Sequence, residues 1–151
     1  MKIGGRILFW LTWPLVWLYA PMVLRARVLV CYKNEYLLVR PYFGSGAWQL
    51  PGGGKKYREL AVQTALRELK EEVDISVATK QMRLLSPMHT FIESGMLLRY
   101  IIFGVTLKER PTITLQKHEI AEYIWVKKDT KLKLAEHIKY AFSIVSHLAQ
   151  K

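Results

Sequence analysis

Cysteine is almost absent from this 151-residue sequence, in which Cys31 is the single example. One cysteine excludes a disulfide within the chain, and with it the class of small disulfide scaffolds, and it suits a reducing compartment. The four histidines show no spacing typical of zinc ligands, either with each other or with Cys31. The sequence contains no internal repeat and no low-complexity tract, which excludes repeat architectures.

Acidic residues are also scarce: 12 of them stand against 23 lysines and arginines, which leaves a formal net charge of +11. This balance favours anionic partners, namely nucleotides, nucleic acid or an anionic lipid surface. A basic protein without any special partner is the alternative. The length and an apolar fraction of 51% are typical of one domain with its own core.

Charge is missing altogether from residues 7–24, which read ILFWLTWPLVWLYAPMVL. The run is close to the shortest that crosses a bilayer, roughly 17 residues, and its tryptophans favour a membrane interface. Pro14 and Pro21 would kink or end a helix. Three interpretations stay open: a membrane anchor or interfacial hairpin, a segment packed on the domain or on a second copy of it as a homodimer, and a cleaved signal peptide.

This contrast divides the chain into a hydrophobic N-terminal segment, residues 1–25, and one compact domain, residues 26–151. Arg25 and Arg27 make the downstream flank of the apolar run slightly richer in basic residues. Because basic residues tend to stay on the cytoplasmic side, we expect a cytoplasmic domain attached to the inner face of the membrane.

The rest of the chain alternates between strand and helix patterns. Period-two or apolar runs predict strands, and apolar residues three and four apart predict helices. The predicted strands are residues 27–32, 35–40, 47–50, 82–93, 96–107 and 122–126. A glycine-rich breaker lies directly after the third of these strands, at 51–54, and the predicted helices are 59–73 and 134–149. This order indicates an α/β (α+β) domain with a mixed β-sheet sandwiched between α-helices.

The first predicted helix carries an acidic cluster. Glu68, Glu71 and Glu72 share one face, opposite the apolar stripe. Three carboxylates so close together repel one another, and a divalent cation such as Mg²⁺ or Mn²⁺, which prefers hard oxygen ligands, would relieve that repulsion. A charged outer face in contact with water is the alternative.

A triple-glycine loop, WQLPGGG, lies directly before this helix. Glycine lets the backbone approach a phosphate at the positive end of a helix. The spacing G-x5-E-x7-R-E-U-x-E-E-x-G-U, where U is aliphatic, resembles the Nudix box, the signature of the Nudix hydrolase family. The residues that carry the match are Gly53, Glu59, Arg67, Glu68, Leu69, Glu71, Glu72 and Ile75.

The resemblance implies the Nudix fold and hydrolysis of a nucleoside diphosphate linked to another group, with Mg²⁺ or Mn²⁺ as cofactor. It implies that the metal ligands are Gly53, Glu68, Glu71 and Glu72. It also implies that Glu59 pairs with Arg67.

The resemblance leaves the general base open. Glu71 and Glu72 are the first candidates, because neighbouring like charges raise the pKa of a carboxyl group. Glu119 is a further candidate, since family members often supply another acidic group just before the following strand. As a loop residue in water it would have no such role.

Three positions depart from the box pattern. Lys56 and Arg58 stand where many family members have glutamate and glycine. They make the loop basic and are predicted to bind substrate phosphates, or else they are solvated. Glu119 is also predicted to contact the substrate. Asp74 replaces the last glycine, at a position that is usually left-handed and that Asp tolerates better than most residues.

No motif outside the box identifies the substrate. The net charge of +11 also suits removal of a cap-like group from the 5′ end of RNA. A nucleotide-sensing Nudix domain without hydrolysis is a third interpretation, although sensors often lose box glutamates and all four are present here.

Overall fold

The computed structural model describes residues 23–43, 45–93, 95–116 and 118–148. Residues 1–22, and with them nearly all of the predicted hydrophobic segment, lie outside this description. The elements in chain order are β1 (Leu24–Tyr32), β2 (Glu35–Pro41), β3 (Gly52–Gly54), α1 (Ala61–Val73), a 3₁₀ turn (Thr79–Gln81), β4 (Arg83–Glu93), β5 (Met96–Thr106), β6 (Ile120–Val126) and α2 (Glu136–Leu148). Within the described ranges, no helix is both long enough and apolar enough to cross a membrane.

The strands form one mixed sheet in the order β4-β5-β1-β2-β6, and β3 is an additional partner of β1. β1 and β5 run parallel, from Leu24 opposite Arg99 to Cys31 opposite Thr106. The other pairs are antiparallel. The mixed sheet that the sequence predicted is therefore confirmed.

The two helices cover opposite faces of this sheet. Side chains alternate along β1, so that Val28 and Val30 pack with α1 while Leu29 packs with α2. α1 contributes Ala65, Leu69 and Val73 to the first core, and α2 contributes Ile138, Ala141 and Phe142 to the second. The predicted sandwich of a sheet between helices is confirmed.

The glycine-rich loop differs from its prediction. Residues 47–50, all of them described, form only isolated bridges at Trp48 and Gln49, whereas the strand β3 lies at the predicted breaker. A Cβ on Gly52 would lie 2.1 Å from the carbonyl oxygen of Ala26, and the φ of Gly52 is +135°. Glycine therefore allows this segment to lie directly against β1, which is why a turn-forming sequence pairs as a strand.

Helix α1 ends as the box pattern requires. Asp74 has φ 57° and ψ 30°, the left-handed conformation, and its N–H donates to the carbonyl oxygen of Lys70 at 3.2 Å. The substitution of aspartate for glycine thus leaves the helix end intact, as predicted from the tolerance of Asp for this conformation.

Candidate metal and phosphate site

A cavity of about 690 Å³ lies where β1, β3 and α1 meet the β4–β5 hairpin and the loop before β6. Charged groups of both signs line it. The acidic lining residues are Glu68, Glu72, Glu93, Glu119 and Glu136, and the basic ones are Arg25, Arg27 and Lys133. Carboxylates that suit a cation and guanidinium groups that suit an anion therefore face the same space.

Glu68 and Glu72 lie one helical turn apart on the cavity side of α1, and only 8% and 6% of their surfaces are exposed. An oxygen of Glu72 accepts a hydrogen bond from the N–H of Gly52 at 2.8 Å. A Cβ on Gly53 would lie 2.6 Å from the carboxyl carbon of Glu68. The absence of a side chain at Gly53 is therefore what lets the Glu68 carboxylate lie against the loop.

Burial changes the ionisation of both groups. It raises the pKa of Glu72 to about 7, and the charge of Arg27 and the N–H of Gly52 offset this only in part. Burial also raises the pKa of Glu68, which Arg67 opposes. A cation beside these two oxygen donors would stabilise their charged forms, so their chemistry fits Mg²⁺ or Mn²⁺.

Arg67 connects the other glutamates of the helix and the loop. Its Nε donates to Glu59 at 2.9 Å, and its terminal nitrogens donate to Glu68 at 2.7 Å and to Glu71 at 2.9 Å. The hydrogen bond from Arg67 is the main reason why the pKa of Glu59 falls to about 2. The structure thus places Glu59 and Arg67 in the contact that the resemblance implied.

Glu71 is placed differently from its two neighbours. Its side chain is 45% exposed and is paired with Arg67, and it does not line the cavity. Within the described part of the chain, no group of three or more His, Cys, Asp and Glu side chains is placed to hold a metal ion. Two of the three predicted acidic metal ligands, Glu68 and Glu72, therefore line the cavity, whereas Glu71 lies outside its lining and shares the Arg67 guanidinium with Glu68.

The three predicted substrate-binding residues do not lie together in the structure. Glu119 is exposed at the cavity wall, and its charge contributes to the raised pKa of Glu72. Lys56 and Arg58 are exposed and lie outside the cavity lining, and the Arg58 guanidinium stacks over Tyr57, 5.2 Å from the ring centre. A phosphate-binding role for Lys56 and Arg58 stays a prediction.

Sequence reasoning missed Arg27. This side chain is 6% exposed, and it donates to the carbonyl oxygens of Leu50, at 3.0 Å, and Gly52 and to the side chain of Gln49, also at 3.0 Å. It therefore fixes the backbone on which the loop Gly52–Gly54 is built. The available signal was a charged residue at the start of an apolar strand.

Sequence reasoning also missed a hydrogen-bonded group of three residues, His137, Glu93 and Tyr100. Leu50 N–H donates to Nε2 of His137 at 3.2 Å, which assigns the ring proton to Nδ1, and Nδ1 lies 2.6 Å from Glu93. Tyr100 donates its hydroxyl proton to the other Glu93 oxygen at 2.8 Å. Burial lowers the pKa of His137, and the hydrogen bond with Glu93 opposes this shift. The three residues come from α2, β4 and β5, and nothing in their sequence spacing connects them.

A comparison with protein-family models matches residues 22–144 to the NUDIX domain. The chain therefore belongs to the Nudix family, whose members are typically pyrophosphohydrolases and generally use divalent metals. The match covers the cavity, its acidic helix and the glycine loop.

Several solved structures share this fold. A MutT NUDIX hydrolase from Burkholderia pseudomallei aligns with a TM-score of 0.71 and 18% identity, over 82% of this chain and 97% of that one. The Caenorhabditis elegans Ap4A hydrolase aligns with a TM-score of 0.60 and 21% identity, over 83% and 96%. The NUDIX domain of Shewanella oneidensis NrtR, solved with ADP ribose, aligns with a TM-score of 0.70 and 17% identity, over 83% and 88%. A comparison with curated protein sequences finds no significant match.

Proposed function

We propose that this protein hydrolyses the diphosphate bridge of a nucleoside diphosphate derivative, releasing a nucleoside monophosphate and a phosphorylated second group. The observation that carries the proposal is the pair of buried carboxylates, Glu68 and Glu72, that meets Gly53 in a cavity also lined by arginines. Such a cavity holds both the donors for a divalent cation and the positive charge for a polyphosphate.

Glu68, Glu72 and the carbonyl of Gly53 would hold the metal, and Glu71 would join them after leaving Arg67. When bound, the metal neutralises phosphate charge and lowers the pKa of a water molecule. Arg67 and Glu59 keep the acidic helix and the loop together through the contacts described above. We propose that one of Glu71, Glu72 and Glu119 accepts the proton of the attacking water. Replacing each of them in turn by glutamine tests which one it is.

The substrate class is tested with a panel of nucleotides. One structural neighbour was solved with ADP ribose and another is an Ap4A hydrolase, so the panel includes ADP-ribose and a dinucleoside tetraphosphate. NADH is added as a further nucleoside diphosphate derivative. Capped and 5′-triphosphorylated RNA are added because the net charge of +11 favours polyanions. We expect phosphate-bridge cleavage of at least one nucleotide in Mg²⁺ or Mn²⁺ and none in excess chelator. Full turnover in chelator would contradict a metal-dependent mechanism.

A sensing domain is the second candidate, because the NrtR domain that shares this fold was solved with ADP ribose. The same panel separates the two, since a sensor binds a nucleotide without releasing product. Retention of all four box glutamates favours hydrolysis.

We also propose that the predicted N-terminal segment, residues 1–25, attaches the catalytic domain to the inner face of the membrane through its part before β1, since its last two residues, Leu24 and Arg25, belong to that strand. The support is the uncharged run ILFWLTWPLVWLYAPMVL together with its tryptophans and the basic residues Lys2 and Arg6 before it. Packing of the segment on a second copy of the chain would make a homodimer instead.

A further inference from the structure

Arg25 is a cation of the cavity that has no hydrogen-bonding or ion-pair partner among the residues that the structure describes. It lies on β1, it is partly buried, and its Nε is enclosed without a hydrogen-bond partner. Within the described ranges its guanidinium forms no hydrogen bond and no ion pair. Buried charges are normally paired, so a cation left in this state at a cavity wall indicates a ligand of opposite charge.

The neighbours of Arg25 do not neutralise it. Burial and the adjacent charge of Arg27 both lower the pKa of Arg25, whereas Glu93 raises it from a distance. The two oxygens of Glu93 are already occupied by His137 and Tyr100. The guanidinium of Arg27 already donates hydrogen bonds to the loop backbone and to the side chain of Gln49. Of the two cavity arginines, Arg25 is thus the one whose donors are not already used by described residues.

The strand register places this charge beside the acidic site. In the pairing of β1 with β3, Arg25 lies opposite Gly54, and Ala26 lies opposite Gly53. Paired residues of antiparallel strands have Cα atoms about 4.5–5.5 Å apart. Arg25 is therefore one residue away from the glycine against which the Glu68 carboxylate rests, and both side chains line the same cavity.

We propose that Arg25 binds the substrate phosphate that does not lie at the Glu68 and Glu72 carboxylates, and that it thereby selects ligands with two linked phosphates. A guanidinium forms two parallel hydrogen bonds with a phosphate, which suits this fixed position on a strand. The identity of the ligand rests on the proposed function.

The test measures binding of inorganic pyrophosphate to the full chain in Mg²⁺ by isothermal titration calorimetry. Arg25→Gln is compared with Arg83→Gln, a matched removal of an exposed arginine that also lies on a strand but outside the cavity lining. We expect Arg25→Gln to weaken binding about tenfold or more, the scale of a hydrogen bond to a charged group, and Arg83→Gln to bind like the unchanged chain. Unchanged affinity in Arg25→Gln, or an equal or larger loss in Arg83→Gln, overturns the proposal.

A second variant guards against misfolding. If circular dichroism shows that Arg25→Gln is unfolded, Arg25→Lys keeps the charge and loses the planar fork, so it should still bind several-fold more weakly. Wild-type affinity in Arg25→Lys would then overturn the proposal. Loss of pyrophosphate binding in Arg25→Gln without hydrolysis of any nucleotide supports the anion site and contradicts the proposed hydrolase. If Arg25→Gln instead hydrolyses a nucleotide with the wild-type KM, the result supports the proposed hydrolase and contradicts the anion site at Arg25.

Discussion

At the scale of single residues, Glu72 shows how the fold changes the chemistry of a common side chain. On an exposed helix it would be one more solvated glutamate, with a pKa near 4.3. Here it is buried, hydrogen-bonded to the backbone of β3 and next to a second buried carboxylate, and its pKa rises to about 7. The folded chain therefore tolerates the charge poorly until a cation is present.

Glu72→Gln tests this directly. Glutamine keeps the shape and can still accept the hydrogen bond from Gly52, but it removes the charge, so we expect kcat to fall about 10²-fold or more. Because the raised pKa means that the carboxylate is less stable in the folded chain than in the unfolded one, the variant should unfold at equal or higher urea concentration at pH 8 in chelator. Steady-state kinetics and urea unfolding are the measurements.

The matched control for this change is Glu109→Gln, which removes the same charge from an exposed loop position. It should leave kcat unchanged. Wild-type turnover in Glu72→Gln would show that the charge of Glu72 has no part in the reaction.

Glu93 is perturbed in the opposite direction. Burial alone would raise the pKa of Glu93, but the hydrogen bonds from His137 and Tyr100 outweigh it and lower the pKa to about 2. The carboxyl group of the unfolded chain titrates near 4.3. Ionised Glu93 therefore contributes stability above about pH 4.3, and this contribution is lost as the pH falls through about 2.

The corresponding prediction compares Glu93→Gln with the unchanged chain across this window. The free energy of unfolding should be lower in Glu93→Gln at pH 7, and the difference should shrink between about pH 4.3 and pH 2. Urea unfolding at several pH values measures it. A difference that stays constant with pH would show that packing, and not the charge, makes Glu93 stabilising.

At the scale of elements, the site depends on how closely β3 approaches α1. Gly53 has a φ outside the left-handed region, so alanine there meets no backbone strain, but its Cβ would overlap the Glu68 carboxylate. We expect Gly53→Ala to displace that carboxylate and to lower both Mn²⁺ binding and kcat/KM by about tenfold or more, the loss typical of one removed charge-stabilising contact. Electron paramagnetic resonance of Mn²⁺ and steady-state kinetics measure the two effects.

Gly54→Ala is the control for this change, because among the described residues its Cβ would meet only a methyl group of Val23, at 3.1 Å. It should retain metal binding and turnover. Equal losses in the two variants would mean that alanine disturbs β3 as a whole and not the Glu68 position.

At the scale of the whole molecule, the domain and the apolar N-terminal run differ in the surroundings that they need. The domain is basic and has its own two-sided core, whereas residues 7–24 are too apolar to remain exposed to water. Burying each large apolar side chain contributes roughly 1.5–3 kcal/mol, so this run has to contact lipid, its own domain or another copy.

Liposome flotation distinguishes these contacts. The full chain is compared with a chain that begins at residue 22, the first residue of the family match, so that β1 stays complete. We expect the full chain to float with liposomes that contain anionic lipid and the shortened chain to remain below. A full chain that is monomeric in water and ignores liposomes refutes the membrane attachment, and a dimer that dissociates on shortening identifies the run as an assembly element.

Local patterns in the sequence determined the acidic helix, the glycine loop, the hairpins and the mixed sheet between helices. These features depend on residues only a few positions apart, since helical spacing alone places Glu68 and Glu72 on one face. The left-handed end at Asp74 was predictable for the same reason.

Only the tertiary structure decided which of these residues share a cavity. The pairing of β1 with β3 brings Arg25 and Arg27 to the acidic site, and contacts among β4, β5 and α2 bring Glu93 to His137. The tertiary structure also places Glu71 and Glu72 in different surroundings. Glu71 is paired with Arg67, whereas Glu72 is buried. Such contacts join residues far apart in the chain, and their energies depend on burial and register, which no short stretch of sequence contains.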